Sequence, residues 1–190
     1  LAEVASTCNE ALLTNYMLAK ADDVDVKLML LNQRLESIRL TIFRQTLFAD
    51  FELRFHEHAE AGNALTAEYL NGLYGDMIRE YYGPGFELGP DDACEWMFIP
   101  HFYYNFYVFT YATGLTSGLA LAERIEENGD KAARQYIDNM LKGGSSAPPL
   151  DILREAGVDL ETPAPIQSAM DLFAETLAEF EKTWVKANKM

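Results

Sequence analysis

Residues 24–60 read VDVKLMLLNQRLESIRLTIFRQTLFADFELRFHEHAE. Leu28, Leu31, Leu35, Ile38, Ile42, Phe43, Leu47, Phe51 and Phe55 recur at helical spacing and share one side. That is the period of a long amphipathic helix, and no strand alternation competes with it. The same reading extends in both directions. Residues 1–20 carry Val4, Leu12, Leu13, Tyr16 and Met17 at helical spacing, and Ala21-Asp22-Asp23 breaks the pattern before Val24. Gly62-Asn63 ends the long helix. Thr66 is placed to cap a helix running to Tyr82, which Gly83-Pro84-Gly85 stops.

Beyond a loop at 86–90, Asp91 is expected to cap a short helix over 91–98. Pro100 then breaks the chain before a helix expected over about 102–127, closed by Asn128-Gly129. Asp130 is expected to cap a helix to Leu141, and residues 143–146 (GGSS) form a flexible loop. A short helix from Pro149 to Ala156 ends at Gly157, and Thr162-Pro163 opens the last helix, to about Lys186. The expectation is an all-α, multi-helix chain. Residues 1–190 are expected to form a single helical domain with mostly antiparallel neighbours, because the connections are short.

The chain holds 15 basic and 30 acidic residues, a formal charge of −15. Such a surface repels phosphate backbones, which excludes nucleic acid as a partner. The stretch 96–122 imitates a membrane span, since it has no formal charge with His101 neutral. It also holds Pro100, His101, Asn105, four tyrosines, Thr110, Thr113, Thr116 and Ser117, which is expensive in lipid. It reads as a buried helix with a polar face, and no membrane is expected as a partner. Cys8 and Cys94 make no C-x-x-C pair, and with no signal sequence they suggest a cytoplasmic protein. Leu1 already lies inside a helical pattern with no cap before it, so a piece of a longer chain is expected.

Three constellations bear on chemistry. Glu3 and Glu10 lie seven residues apart, on one helix face, with Asn9 beside them. They suit a metal ligand with a supporting carboxylate, or two solvated side chains, and spacing does not separate the two. His56-Glu57-His58 puts its histidines at i and i+2, which point apart on a helix, whereas H-E-x-x-H puts them on one face. A carboxylate-bridged di-metal bundle needs two E-x-x-H motifs, but Leu53, Phe55 and Phe98 precede the three histidines by three residues. The third constellation is His101, Tyr104, Tyr107 and Tyr111, with Val108 and Leu115, one stripe if the segment is a helix. Such a stripe is either aromatic core with satisfied hydroxyls or a set of donors converging on one point.

Residues 2–10 (AEVASTCNE), 99–114 (IPHFYYNFYVFTYATG) and 143–146 (GGSS), with 149–153 (PLDIL) and 156–159 (AGVD), together resemble oligoendopeptidase F, of the thimet oligopeptidase-like zinc peptidases. The resemblance runs from Glu3 to about Phe180. It implies the C-terminal part of a zincin-type oligopeptidase catalytic domain. By that match Glu3 is the third zinc ligand and Glu10 its support. His101 bonds the bound peptide, and Tyr107 and Tyr111 stabilise the oxyanion. Tyr104 is a less certain member of that set, and Gly143 and Gly144 lie on a Gly-rich loop beside the cleft. Phe109 stands where many relatives carry another tyrosine. The chemistry implied is Zn²⁺-assisted hydrolysis of short peptides. No H-E-x-x-H occurs in the sequence. The intact parent is therefore expected to be the enzyme. This chain alone is expected to be inactive, to lack tightly held zinc, and to self-associate where the missing N-terminal part would cover it. The alternative is a non-catalytic helical binding module derived from the same fold.

Overall fold

A computed structural model describes residues 3–188. Among these residues eight α-helices follow one another: α1 Val4–Lys20, α2 Val24–Ile38, α3 Arg44–Glu60, α4 Ala67–Tyr82, α5 Phe109–Asn128, α6 Asp130–Gln135, α7 Pro149–Ala156 and α8 Ala164–Ala187. Two wide π turns, Arg39–Phe43 and Tyr136–Leu141, follow α2 and α6. Two 3₁₀ turns, Asp92–Phe98 and Pro100–Tyr104, separate α4 from α5. Among the described residues there is no strand, as the periodicity predicts.

The helix ends follow local chemistry. Asp23 caps α2 by accepting from the Asp25 and Val26 backbone N–H groups. Thr66 caps α4 by accepting from Tyr69 N–H. Gly83 and Gly157 take positive φ just past α4 and α7, where only glycine avoids a Cβ penalty. Three expectations are corrected. The short helix expected over 91–98 is a 3₁₀ turn, Asp92–Phe98, without a side-chain cap from Asp91. Gly129, not Asp130, is the cap of α6, and Asp130 falls in the first turn, where a carboxylate suits the helix dipole. The helix expected from residue 102 begins only at Phe109.

Two compact units divide the chain. One comprises Leu1–Ile42 with Thr113–Met190, and the other is Phe43–Ala112. In the first, α2 lies along α8. Ile38, Ile42, Leu115, Leu119 and Ala169 form one apolar cluster there. A second cluster joins Val4 and Cys8 of α1 to Leu121, Tyr136, Met140, Ile152 and Leu153. In Phe43–Ala112, Leu47, Phe48, Phe51, Tyr74, Met77, Ile78 and Val108 form the core. Glu95 ties this unit together by pairing with Arg44 and accepting from the Tyr74 hydroxyl at 2.6 Å. Trp96 Nε1 donates to Asn71 at 2.8 Å, which fixes the first 3₁₀ turn on α4.

Close approach of α1 and α5 sets one strict requirement. A Cβ at Gly118 would lie 2.1 Å from Thr7 Oγ1 and 2.9 Å from the Cys8 backbone nitrogen. Gly118→Ala is expected to destabilise by about 1–3 kcal/mol, as overpacking does. Gly72, an exposed helical glycine with open space around it, is the control: Gly72→Ala should stabilise by about 0.5–1 kcal/mol. Denaturant unfolding of both variants checks the pair.

Burial pushes the Cys8 thiol up from its ordinary 9.0 to about 11, and the neighbouring Tyr136 hydroxyl offsets part of that rise. The folded state thus holds this proton more tightly than the unfolded chain does. The stabilisation is complete below about pH 9 and is lost as pH rises through about 11, a change of roughly 2–3 kcal/mol. Unfolding free energy should decline across that window, and Cys8→Ala should flatten the decline.

Candidate active site

His101, Tyr104, Tyr107 and Tyr111 do not share a helix. His101 and Tyr104 lie in the Pro100–Tyr104 turn, Tyr107 lies in the connection, and Tyr111 is in the first turn of α5. The backbone reverses between them, with Asn105 at φ 52° and Phe106 at φ 58°. Two successive left-handed residues other than glycine cost about 1–2 kcal/mol each. Burial on either side offsets that cost. Phe102 packs its ring against Phe48, Phe51 and Phe55 at 5.5–6.0 Å between centroids. Val108 is fully buried in the same core. Full burial of a side chain such as Val108 contributes roughly 1.5–3 kcal/mol, and the half-buried Phe102 adds a share of that. The Phe106 backbone N–H donates to Glu52 Oε1 at 2.8 Å, so the kink does not strand a buried donor.

With Phe102 and Val108 turned inward, their neighbours are turned out. Tyr104 is 61% and Tyr107 44% exposed. The four rings nonetheless meet. The His101 ring lies 5.9 Å from Tyr104, 6.0 Å from Tyr107 and 5.6 Å from Tyr111. Tyr107 meets Tyr104 at 6.1 Å and Tyr111 at 5.5 Å, both edge to face. The Tyr111 hydroxyl and His101 Nε2 are 3.1 Å apart, a hydrogen bond whose direction follows the imidazole tautomer. A continuous helix would hold residues ten apart about 15 Å distant along its axis. The helical stripe expected from the spacing is therefore corrected: the kink brings His101 to Tyr111.

The other predicted residues belong to the unit that contains α1. Glu3 is the residue before α1 and is exposed. Its carboxylate accepts from Ser6 Oγ at 2.8 Å, and its carbonyl accepts from the Thr7 backbone N–H and hydroxyl. Glu10 is exposed two turns along. Residues 143–146 form a turn closed by Ser146 N–H donating to Gly143 C=O at 3.0 Å, with Gly144 at φ 54°. The π turn just before it packs on the start of α1, where the Tyr136 hydroxyl donates to Ala5 C=O at 3.3 Å. Thus Gly143 and the helix start bearing Glu3 are attached to the same apolar cluster.

His56 and His58 serve packing. His58 stacks on Tyr69 at 3.7 Å, and His56 lies against Phe55 and Phe106 at 4.8 and 4.6 Å. Among the described residues no three His, Cys, Asp or Glu side chains converge to hold a metal ion. The residues present do not make a zinc site by themselves. One participant was missed from sequence: Glu52 is 1% exposed, the one buried acidic or basic side chain among the described residues. Its signal was its place on the apolar face, four residues from Phe48 and beside Phe51.

Residues 1–172 match the profile of peptidase family M3, so this chain belongs to that family. Oligopeptidase PepF of Bacillus subtilis is 46% identical over 189 residues, which are 100% of this chain and 28% of that protein. A plasmid oligoendopeptidase F of Lactococcus lactis is 46% identical over 182 residues, 96% of this chain and 30% of its own length. The crystal structure of oligoendopeptidase-F from Enterococcus faecium matches with a TM-score of 0.93 and 43% identity, over 97% of this chain and 35% of that one. The chain thus spans about three-tenths of the length of the curated relatives it matches. The all-α class is shared with the matching part of the solved relative.

After exposure to zinc and dialysis, elemental analysis of this chain is expected to find less than one zinc per molecule, because an isolated carboxylate is a weak ligand. One tightly held ion per chain would redirect attention to His56 and His58.

Proposed function

We propose that this chain is the part of a zinc-dependent oligoendopeptidase that binds the peptide and stabilises the oxyanion of amide hydrolysis. The observation that carries the reading is the cluster of His101, Tyr104, Tyr107 and Tyr111, with its 3.1 Å bond between Tyr111 and His101. Amide hydrolysis develops negative charge on the carbonyl oxygen, and fixed O–H and N–H donors aimed at that oxygen lower the barrier. Tyr107 and Tyr111 supply hydroxyls, and His101 holds Tyr111 while bonding the bound peptide. Tyr104 walls the same cluster. Gly143 and Gly144 leave backbone free of side chains for a peptide to approach.

Glu3 is assigned as the third zinc ligand and Glu10 as its support. Two histidines and a catalytic glutamate on an H-E-x-x-H helix are the complement this sequence lacks, so this chain alone is inactive. Its partners are short unstructured peptides and the remainder of the longer enzyme. Among the described residues no helix is long and apolar enough to cross a membrane. Two free thiols support the cytoplasm as its compartment.

In the full-length enzyme, Tyr111→Phe should lower kcat and kcat/KM together by about 10²–10³, the usual effect of losing one oxyanion donor. Zinc content and Tm should hold, since the ring and its packing remain. Near-normal turnover with a lowered Tm would assign Tyr111 to the core and overturn the reading.

A further inference from the structure

We propose that Glu52 is the positioning residue of the aromatic cluster: its Oε1 accepts the Phe106 backbone N–H and thereby holds the left-handed kink that brings His101 to Tyr111. The consequence for turnover rests on the oxyanion reading above; the positioning itself does not.

Three observations converge on it. Glu52 is 1% exposed on a helix whose neighbouring positions, Phe48, Phe51 and Phe55, are aromatic. A buried polar group of this kind persists only with a partner. Its partner is the N–H of Phe106 at φ 58°, a bulky side chain in a region that favours glycine. The kink lies in the chain between His101 and Tyr111 and brings together side chains that a continuous helix would keep out of reach. The Phe106 ring also rests on His56, one helical turn from Glu52, so the kink is held to α3 at two points. Nothing in this arrangement brings Glu52 to the reacting atoms. It acts through the backbone.

The test uses substitutions that separate the acceptor from the volume. Glu52→Gln keeps an acceptor oxygen, whereas Glu52→Met keeps most of the volume and removes it. The 190-residue chain has three histidines, so ring ¹⁵N spectra are simple, and Tyr111→Phe marks the His101 signals by removing their partner. Glu52→Met is expected to move the His101 signals toward their Tyr111→Phe positions, and Glu52→Gln to restore the native ones. Native His101 signals in Glu52→Met would overturn the proposal. If Glu52→Met does not fold, Phe106→Gly is added, because glycine adopts the kink without strain. Recovery of fold and His101 signals in that double variant supports the proposal, and failure to recover overturns it.

In the full-length enzyme, Glu52→Met should lower kcat about 10²-fold, the scale of a misplaced donor, with KM little changed and Glu52→Gln restoring turnover. Should the His101 signals move while turnover holds, Glu52 positions the cluster as proposed and it is the oxyanion reading that fails.

Discussion

The kink at Asn105 and Phe106 is the constraint on which the candidate site depends. Phe102 and Val108 both have to reach the core of Phe43–Ala112, and only five residues, 103–107, carry the chain from one to the other. Burying both, while ending one 3₁₀ turn and starting α5, leaves two residues in left-handed conformations. Residues 103–107 then stay outside the core, and three of them are tyrosines. Tyr103 is 87% exposed, and Tyr104 and Tyr107 stand partly in solvent. Aromatic residues exposed in this way are costly for a soluble surface and useful for one that binds.

The anchoring side of that loop is built as firmly as its outer side is open. Phe51 meets Phe55, Tyr74, Trp96 and Phe102 within 6.4 Å between centroids. Arg44, Glu95 and Tyr74 form a polar network beneath it, and burial, with the adjacent Glu95, pushes the Tyr74 phenol well above its ordinary range. Tyr74 therefore stays a protonated donor, and the segment carrying Met97 and Phe98 is held at its base by Glu95 and Trp96. Phe98, 80% exposed, then projects from a fixed backbone.

Sequence gave up its helices readily because each one announces its ends locally. Thr66, Gly83 and Gly157 act within a turn of themselves, and the apolar period of residues 24–60 spans ten helical turns. The π turns carry no such mark. Arg39–Phe43 keeps the helical register of apolar residues, which is why it reads as continuous helix. The break at Asn105 was hidden for a related reason: the run from Phe102 to Thr113 holds neither glycine nor proline. Its left-handed residues are imposed by the burial of Phe102 and Val108, a tertiary effect that no local propensity reports.

The candidate residues were legible and their geometry was not, and the difference has a physical root. Type and spacing state which donors a segment can offer. How far apart those donors stand depends on the backbone, and one reversed pair of residues changes a separation of about 15 Å into hydrogen-bond contact. A helical stripe would present tyrosine hydroxyls in a row, each facing a different part of a substrate. The kink instead gathers three tyrosine rings around one imidazole, each within about 6 Å of it. Charge on a single carbonyl oxygen is stabilised by several donors at one place and gains little from donors along a line. A site of that kind is therefore better built on an irregular, well-anchored loop than on the helix its sequence suggests.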